Sequence, residues 1–163
     1  MEQVLYEADT ILTWEEYEKF SKFVQKNARN KKLSHICSII IVAGSMFLLW
    51  GHWYQPVILA VLTLVVGFTT AYILQKRVVK RSWDSNKMMQ NSVHHYLFYE
   101  DYLEEIIDAS TIKVSYDKIH KIVITDTNIY ILTGINQGMS LLKEKCSTEL
   151  VTFIESIKEK YQF

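Results

Sequence analysis

Five histidines, two cysteines and one dense run of carboxylates are the residues of this chain best suited to chemistry. His94 and His95 are adjacent, so on a strand their side chains leave on opposite faces and a shared metal is not expected. His35 and His52 bracket an apolar tract and belong at its interfacial ends; an ionisable group deep inside it would have pointed to function. His120, between Ile119 and Lys121, is expected to be exposed. Glu100, Asp101, Glu104, Glu105 and Asp108 could do acid–base work or bind a cation. They lack a calcium-loop pattern and a glycine at the turn, so they read as a solvated face or strand edge. Cys37 and Cys146 stand alone, with no CxxC and no His/Cys cluster for zinc. Topology separates them in a reducing compartment, so no disulfide is expected. No P-loop, dinucleotide fingerprint or nucleophile elbow is present. Neither an enzyme nor a cofactor is expected.

The elements that carry these residues fall into two kinds. Formal net charge is +0, yet from Leu33 to Leu74 there is no Asp, Glu, Lys or Arg. Two apolar blocks lie in that window, Leu33–Trp50 and Pro56–Leu74. Each is roughly 18–20 residues, the length of a membrane-crossing helix, and neither has the polar face of a surface helix. Between them, LLWGHWYQPVIL reads as a hairpin tip, with Gly51 ending one helix and Pro56 in the first turn of the next. Trp50, Trp53 and Tyr54 suit the headgroup layer. Lys26, Arg29, Lys31 and Lys32 precede the first block, and Lys76, Arg77, Lys80 and Arg81 follow the second. The tip has none, so the positive-inside rule places both termini in the cytoplasm. Lys31, Lys32, Trp53, Tyr54, Lys76, Arg77, Lys80 and Arg81 are the expected membrane-surface residues. Ala60, Thr63, Gly67, Thr70 and Ala71 share a face that could pack on Cys37, Ser38, Gly44 and Ser45. Intramolecular packing is the simplest use and a homo-oligomer the alternative.

The expected organisation is 1–32, an N-terminal strand and amphipathic helix; 33–75, a transmembrane hairpin; and 76–163, a cytoplasmic domain. In the first part, Thr13 to Glu16 has capping-box spacing, with Glu16 reaching back to the cap. Trp14, Tyr17, Phe20, Phe23 and Val24 follow at helical spacing. The polar face mixes Glu and Lys, which favours packing on the domain over lying on lipid. In the last part, HHYLFYE, YLEEII, TIKVSY, KIVIT, NIYIL and MSLL read as strands, with a hairpin at Asp126–Asn128. Ser147 can cap a last helix with Leu150, Phe153, Ile154, Ile157 and Tyr161 in one apolar stripe. The expected class is an α+β membrane protein: a two-helix transmembrane hairpin plus a cytoplasmic antiparallel sheet capped by a C-terminal helix.

The stretch SYDKIHKIVITDTNIYIL, followed by LLKEKCSTELVTFIESIKEK, resembles the YcxB-like proteins, small bacterial membrane proteins with two spans. Tyr116 to Ile122 is similar to that family's Y-x-x-I-x-K-V stretch, and Lys143 matches its lysine before the last helix. Where the family often has an aromatic residue, this chain has Cys146. The resemblance implies a pleckstrin-homology-like (PH-like) domain and a bacterial cytoplasmic membrane location. It implies no established activity.

From Ser82 onward there are 12 acidic and 8 basic residues, a balance that argues against nucleic acid. The expected function is a membrane-anchored accessory or regulatory protein whose cytoplasmic domain binds a protein or peptide. The expected partner-binding residues are Lys121, Val123 and Thr125 on one strand and Gly134 and Gly138 around one loop. The alternative is a module that senses anionic lipid through the basic flanks.

Overall fold

The computed structural model describes residues 3–28, 54–108 and 110–163. In chain order the elements are β1 (Tyr6–Ile11), α1 (Trp14–Ala28), α2 (Tyr54–Ser85), β2 (Val93–Phe98), β3 (Tyr102–Ile107), β4 (Ser110–Ser115), β5 (Lys121–Ile124), β6 (Asn128–Leu132), β7 (Gly138–Leu142) and α3 (Thr148–Lys160). The described part is α+β, with two antiparallel sheets ordered β1-β2-β3-β4 and β5-β6-β7. The chain divides into two compact units, Met1–Ala28 with Ser85–Phe163, and Arg29–Asp84. The expected divisions near 32 and 76 therefore shift to 28 and 85. The helix α2 runs on to Ser85, and β1 pairs with β2 from Tyr6 opposite Phe98 to Ile11 opposite Val93. The N-terminal segment supplies an edge strand of the first sheet and is not a separate domain.

The core lies between the inner faces of the two sheets and α3. Phe98, Leu103, Ile129, Leu141, Leu150 and Ile154 are fully buried there. α3 starts where Ser147 accepts a hydrogen bond from the Leu150 amide at 3.1 Å. Its Leu150, Ile154 and Ile157 then repeat at helical spacing and face the sheets. β6 is buried along its whole length. NIYIL alternates poorly because both faces of this strand are covered. Its outer face lies under α1, where Phe23 stacks on Tyr130 at 4.1 Å between ring centroids. Asn128, also buried, donates to Glu16 of α1 at 2.6 Å.

α1 thus packs on the domain. Thr13 caps it, accepting from the Glu16 amide at 3.3 Å. The Glu16 carboxylate does not serve the expected capping box. It is buried and taken by Lys19 at 2.9 Å and by Asn128. Glu16 and then Glu15 hold the Lys19 ammonium well above the usual lysine range.

In the second unit, α2 is one continuous helix of 32 residues, about 48 Å long at 1.5 Å per residue. Pro56 sits in its first turn, where no amide donor is needed. The helix runs on through QKRVVKR, whose long side chains are good helix formers. Lys80 pairs with Asp84 at 3.0 Å in the next turn. Within α2, Val61–Ser85 is long and apolar enough to cross a membrane by length and composition, and none of its most apolar window is buried. Thr63 and Thr69 donate back to the carbonyls of Leu59 and Val65 at 2.8 and 2.7 Å. The first apolar block, Gly51, His52, Trp53, Lys31, Lys32, His35 and Cys37 lie outside the described residues. The hairpin as a whole does too, as does the Cys37, Ser38, Gly44 and Ser45 half of its small-residue face, while Thr63, Gly67, Thr70 and Ala71 lie on α2.

Candidate functional site

β5 ends the three-stranded sheet, and its inner partner is β6. The Thr125 amide donates to the Asn128 carbonyl at 2.9 Å across the hairpin. Antiparallel pairing alternates, so the main-chain groups of Val123 and Lys121 also turn toward β6. Those of Ile122 and Ile124 turn to the outer edge. Ile122 is buried, so of the two it is the half-buried Ile124 that brings one donor and one acceptor within reach there.

Beside this edge the chain returns as the end of α3. Ile124 from β5 and Glu155, Lys158, Glu159, Gln162 and Phe163 line a cleft of about 630 Å³. Phe163 is placed there by a last turn in which its amide donates to the Lys158 carbonyl at 3.1 Å. Ile124 and Phe163 give it apolar lining, and Glu155, Lys158 and Glu159 bring both signs of charge. Such a strand-and-helix border accepts an extended segment: main-chain bonds hold the segment, and alternate side chains enter the cleft.

The expected partner-binding residues separate in the structure. Lys121 is exposed on β5, and Val123 and Thr125 are half-buried beside it. Gly134 lies in the β6–β7 loop, where its amide donates to the Gln137 carbonyl at 3.2 Å. Gly138 does not belong to that loop. It is the first residue of β7, opposite Leu132, and a Cβ there would sit 2.5 Å from the Ile131 carbonyl oxygen. Its role is close strand packing. Of the expected membrane-surface set, Lys76, Arg77, Lys80 and Arg81 are exposed on α2, and Tyr54 begins that helix. Tyr116, Ile119 and Ile122, three positions of the Y-x-x-I-x-K-V-like stretch, are buried in the core, which gives those positions a packing role.

His95 and His94 do leave β2 on opposite faces. His95 is exposed, with Nδ1 2.6 Å from Asp9, above a shallow surface lined also by Glu7 and Lys145. His120 is exposed. Among the described residues no group of three His, Cys, Asp or Glu side chains could hold a metal ion. Burial pushes the Cys146 thiol up to about 11, which leaves little thiolate at neutral pH.

A further expectation is overturned. Glu105 is not on a solvated face. Strand alternation puts Leu103 and Glu105 inward and Glu104 outward, and Glu105 is 6% exposed. Its Oε1 lies 2.7 Å from His94 Nδ1 and accepts from the Tyr96 hydroxyl at 2.9 Å. His94 Nε2 lies 3.0 Å from Ser92 Oγ. Burial, then the nearby Glu105 charge, push the Tyr96 hydroxyl well above its ordinary range. The polar row also meets the second sheet. Tyr96 reaches the Ser140 carbonyl at 3.4 Å, and Thr10 Oγ1 accepts from the Leu142 amide at 3.3 Å. Both contacts satisfy main-chain groups on the outer edge of β7.

Ser92, His94 and Glu105 stand in the order of a nucleophile, base and orienting acid. Two observations count against that role. All three are buried, and the amides that could hold an oxyanion are engaged: Asn91 donates to Leu12 at 3.0 Å and Ser92 to Met89 at 3.4 Å. The signal that could have found this row is the period-two pattern Ser92, His94, Tyr96 against Leu103, Glu105. Comparison of the chain with family models, curated proteins and solved structures returns no match.

Proposed function

We infer that this is a membrane-anchored accessory or regulatory protein whose sheet domain captures an extended segment of a protein partner. The observation that carries the reading is the outward edge of β5 beside the α3 cleft. Seven strands in two antiparallel sheets, with a C-terminal helix, support a PH-like domain. The exposed apolar length of α2 supports an anchor, since contiguous apolar surface on this scale needs cover. The expected first span completes a hairpin in the bacterial cytoplasmic membrane with both termini inside.

The edge geometry sets the test. Proline at Ile124 removes an outward amide and leaves the β5–β6 ladder intact. Proline at Thr125 removes the amide that bonds Asn128. Ile124→Pro is expected to lose partner capture in pull-downs of the full chain while keeping its circular dichroism. Thr125→Pro is expected to lose about 3 kcal/mol of stability as well. Capture unaffected by Ile124→Pro would sink the edge assignment.

A second reading rests on Lys76, Arg77, Lys80 and Arg81, all exposed on α2. In it the basic flank holds anionic lipid, and binding of the chain to vesicles falls as salt rises.

A further inference from the structure

The buried row at Ser92 has more contacts than a neutral row has protons. The Ser92 hydroxyl carries one proton. It faces two groups, the Met89 carbonyl at 2.9 Å and His94 Nε2 at 3.0 Å. A carbonyl only accepts, so the serine proton goes to Met89. The contact with His94 then needs a proton on Nε2. On the other side of the ring, Nδ1 and Glu105 Oε1 are 2.7 Å apart and need a proton between them. Both Ser92 contacts can form together only when the His94–Glu105 pair holds two protons. A neutral imidazole facing a carboxylate holds one.

We propose that the His94–Glu105 pair is a proton-operated latch on the Asn86–Ser92 segment, which joins α2 to β2. In the protonated state both Ser92 contacts form together. Loss of one proton leaves Nδ1–H on Glu105 and a bare Nε2. The Ser92 proton must then turn to Nε2 and leave the Met89 carbonyl. The alternative, keeping Nε2–H, sets two lone pairs against each other at 2.7 Å. Either way one bond of the chain is lost. The segment is also tied to Leu12, which accepts from Asn91 and donates to the Ser92 carbonyl, both at 3.0 Å; within itself it is closed by Met89 to Asn86 at 3.2 Å and Gln90 to Lys87 at 3.3 Å, and it turns through Asn91 at φ 58°.

The groups around the pair are few. β2 brings Tyr96, which donates to Glu105; β1 brings Thr10, directly opposite His94; β7 brings the Ser140 carbonyl. α1 brings Glu16, whose carboxylate is occupied by Lys19 and Asn128. Asp9, Glu104 and Lys113 sit on the outer face of the first sheet. The sign follows: the latched state binds the extra proton, so it is favoured as pH falls and released as pH rises.

Hydrogen exchange of the full chain in detergent, corrected for intrinsic rates, tests this between about pH 5 and 8. Amides of Asn86–Ser92 are expected to lose protection roughly five-fold across that range, the worth of one hydrogen bond. His94→Gln, which has no titrating ring, is expected to abolish the change. Protection independent of pH in the wild type, or a wild-type profile in His94→Gln, would overturn the latch. Should the variant fail to fold, nitrogen chemical shifts of His94 in the wild type decide. A ring that stays singly protonated on nitrogen while protection changes would also overturn it.

Discussion

Glu105→Ala is expected to destabilise the protein by about 3–5 kcal/mol, the usual result of removing one member of a buried charged pair. The substitution strips an acceptor from both His94 and Tyr96 in a place closed to water. Neither group has room to recover it from solvent, since His94 and Tyr96 are 4% and 2% exposed. The neighbouring residue supplies the control. Glu104 is on the opposite face of the same strand, with a loose 4.0 Å approach to Lys113. Glu104→Ala is expected to change stability by less than about 0.5 kcal/mol. Urea unfolding of the intact chain in detergent, followed by near-ultraviolet circular dichroism, compares the two. Equal stabilities would mean that the polar row does not hold the first sheet together.

The second large effect is expected at Gly138. A methyl group there meets the Ile131 carbonyl oxygen at 2.5 Å and Leu132 Cα at 2.8 Å. Backbone atoms on a paired strand have nowhere to go, so Gly138→Ala is expected to cost about 3 kcal/mol, at the upper end of overpacking. At Gly134 the nearest atom to an added methyl is Gln137 Cβ at 3.9 Å. Gly134→Ala is expected to be nearly neutral, within about 0.5 kcal/mol. The same unfolding measurement separates them. Similar losses at both positions would show that strand contact at Gly138 is not what requires glycine.

These two residues also mark where the sequence was legible. Local signals placed most elements, because they are written within a few residues: Ser147 before an apolar stripe, Thr13 before α1, and Asp126–Asn128 between two β-prone runs. What local reading missed came from pairing between distant segments. Gly138 looked like a loop residue until β6 was laid against it. Glu105 looked like one more surface acid in an acidic run. Only the register of β3 with β2, and of β2 with β1, brings it against His94 and Tyr96. β1 itself gave no hint that its partner lay beyond α1 and α2. Charge density along the chain was a poor guide to burial, because alternation on a strand sorts adjacent acids to opposite faces.

The surface reading and the lipid reading make different demands on one position. Lys121 is exposed at the start of the β5 edge, and Ile112 is exposed on β4, at the end of the other sheet. The most direct test places a photo-cross-linking residue at 121, and at 112 as control, in the full chain within its native membrane. Edge capture predicts a discrete protein adduct from position 121, absent from 112 and lost when Ile124→Pro is combined with it. Adducts with lipid alone, or the same protein adducts from both positions regardless of Ile124→Pro, would contradict it.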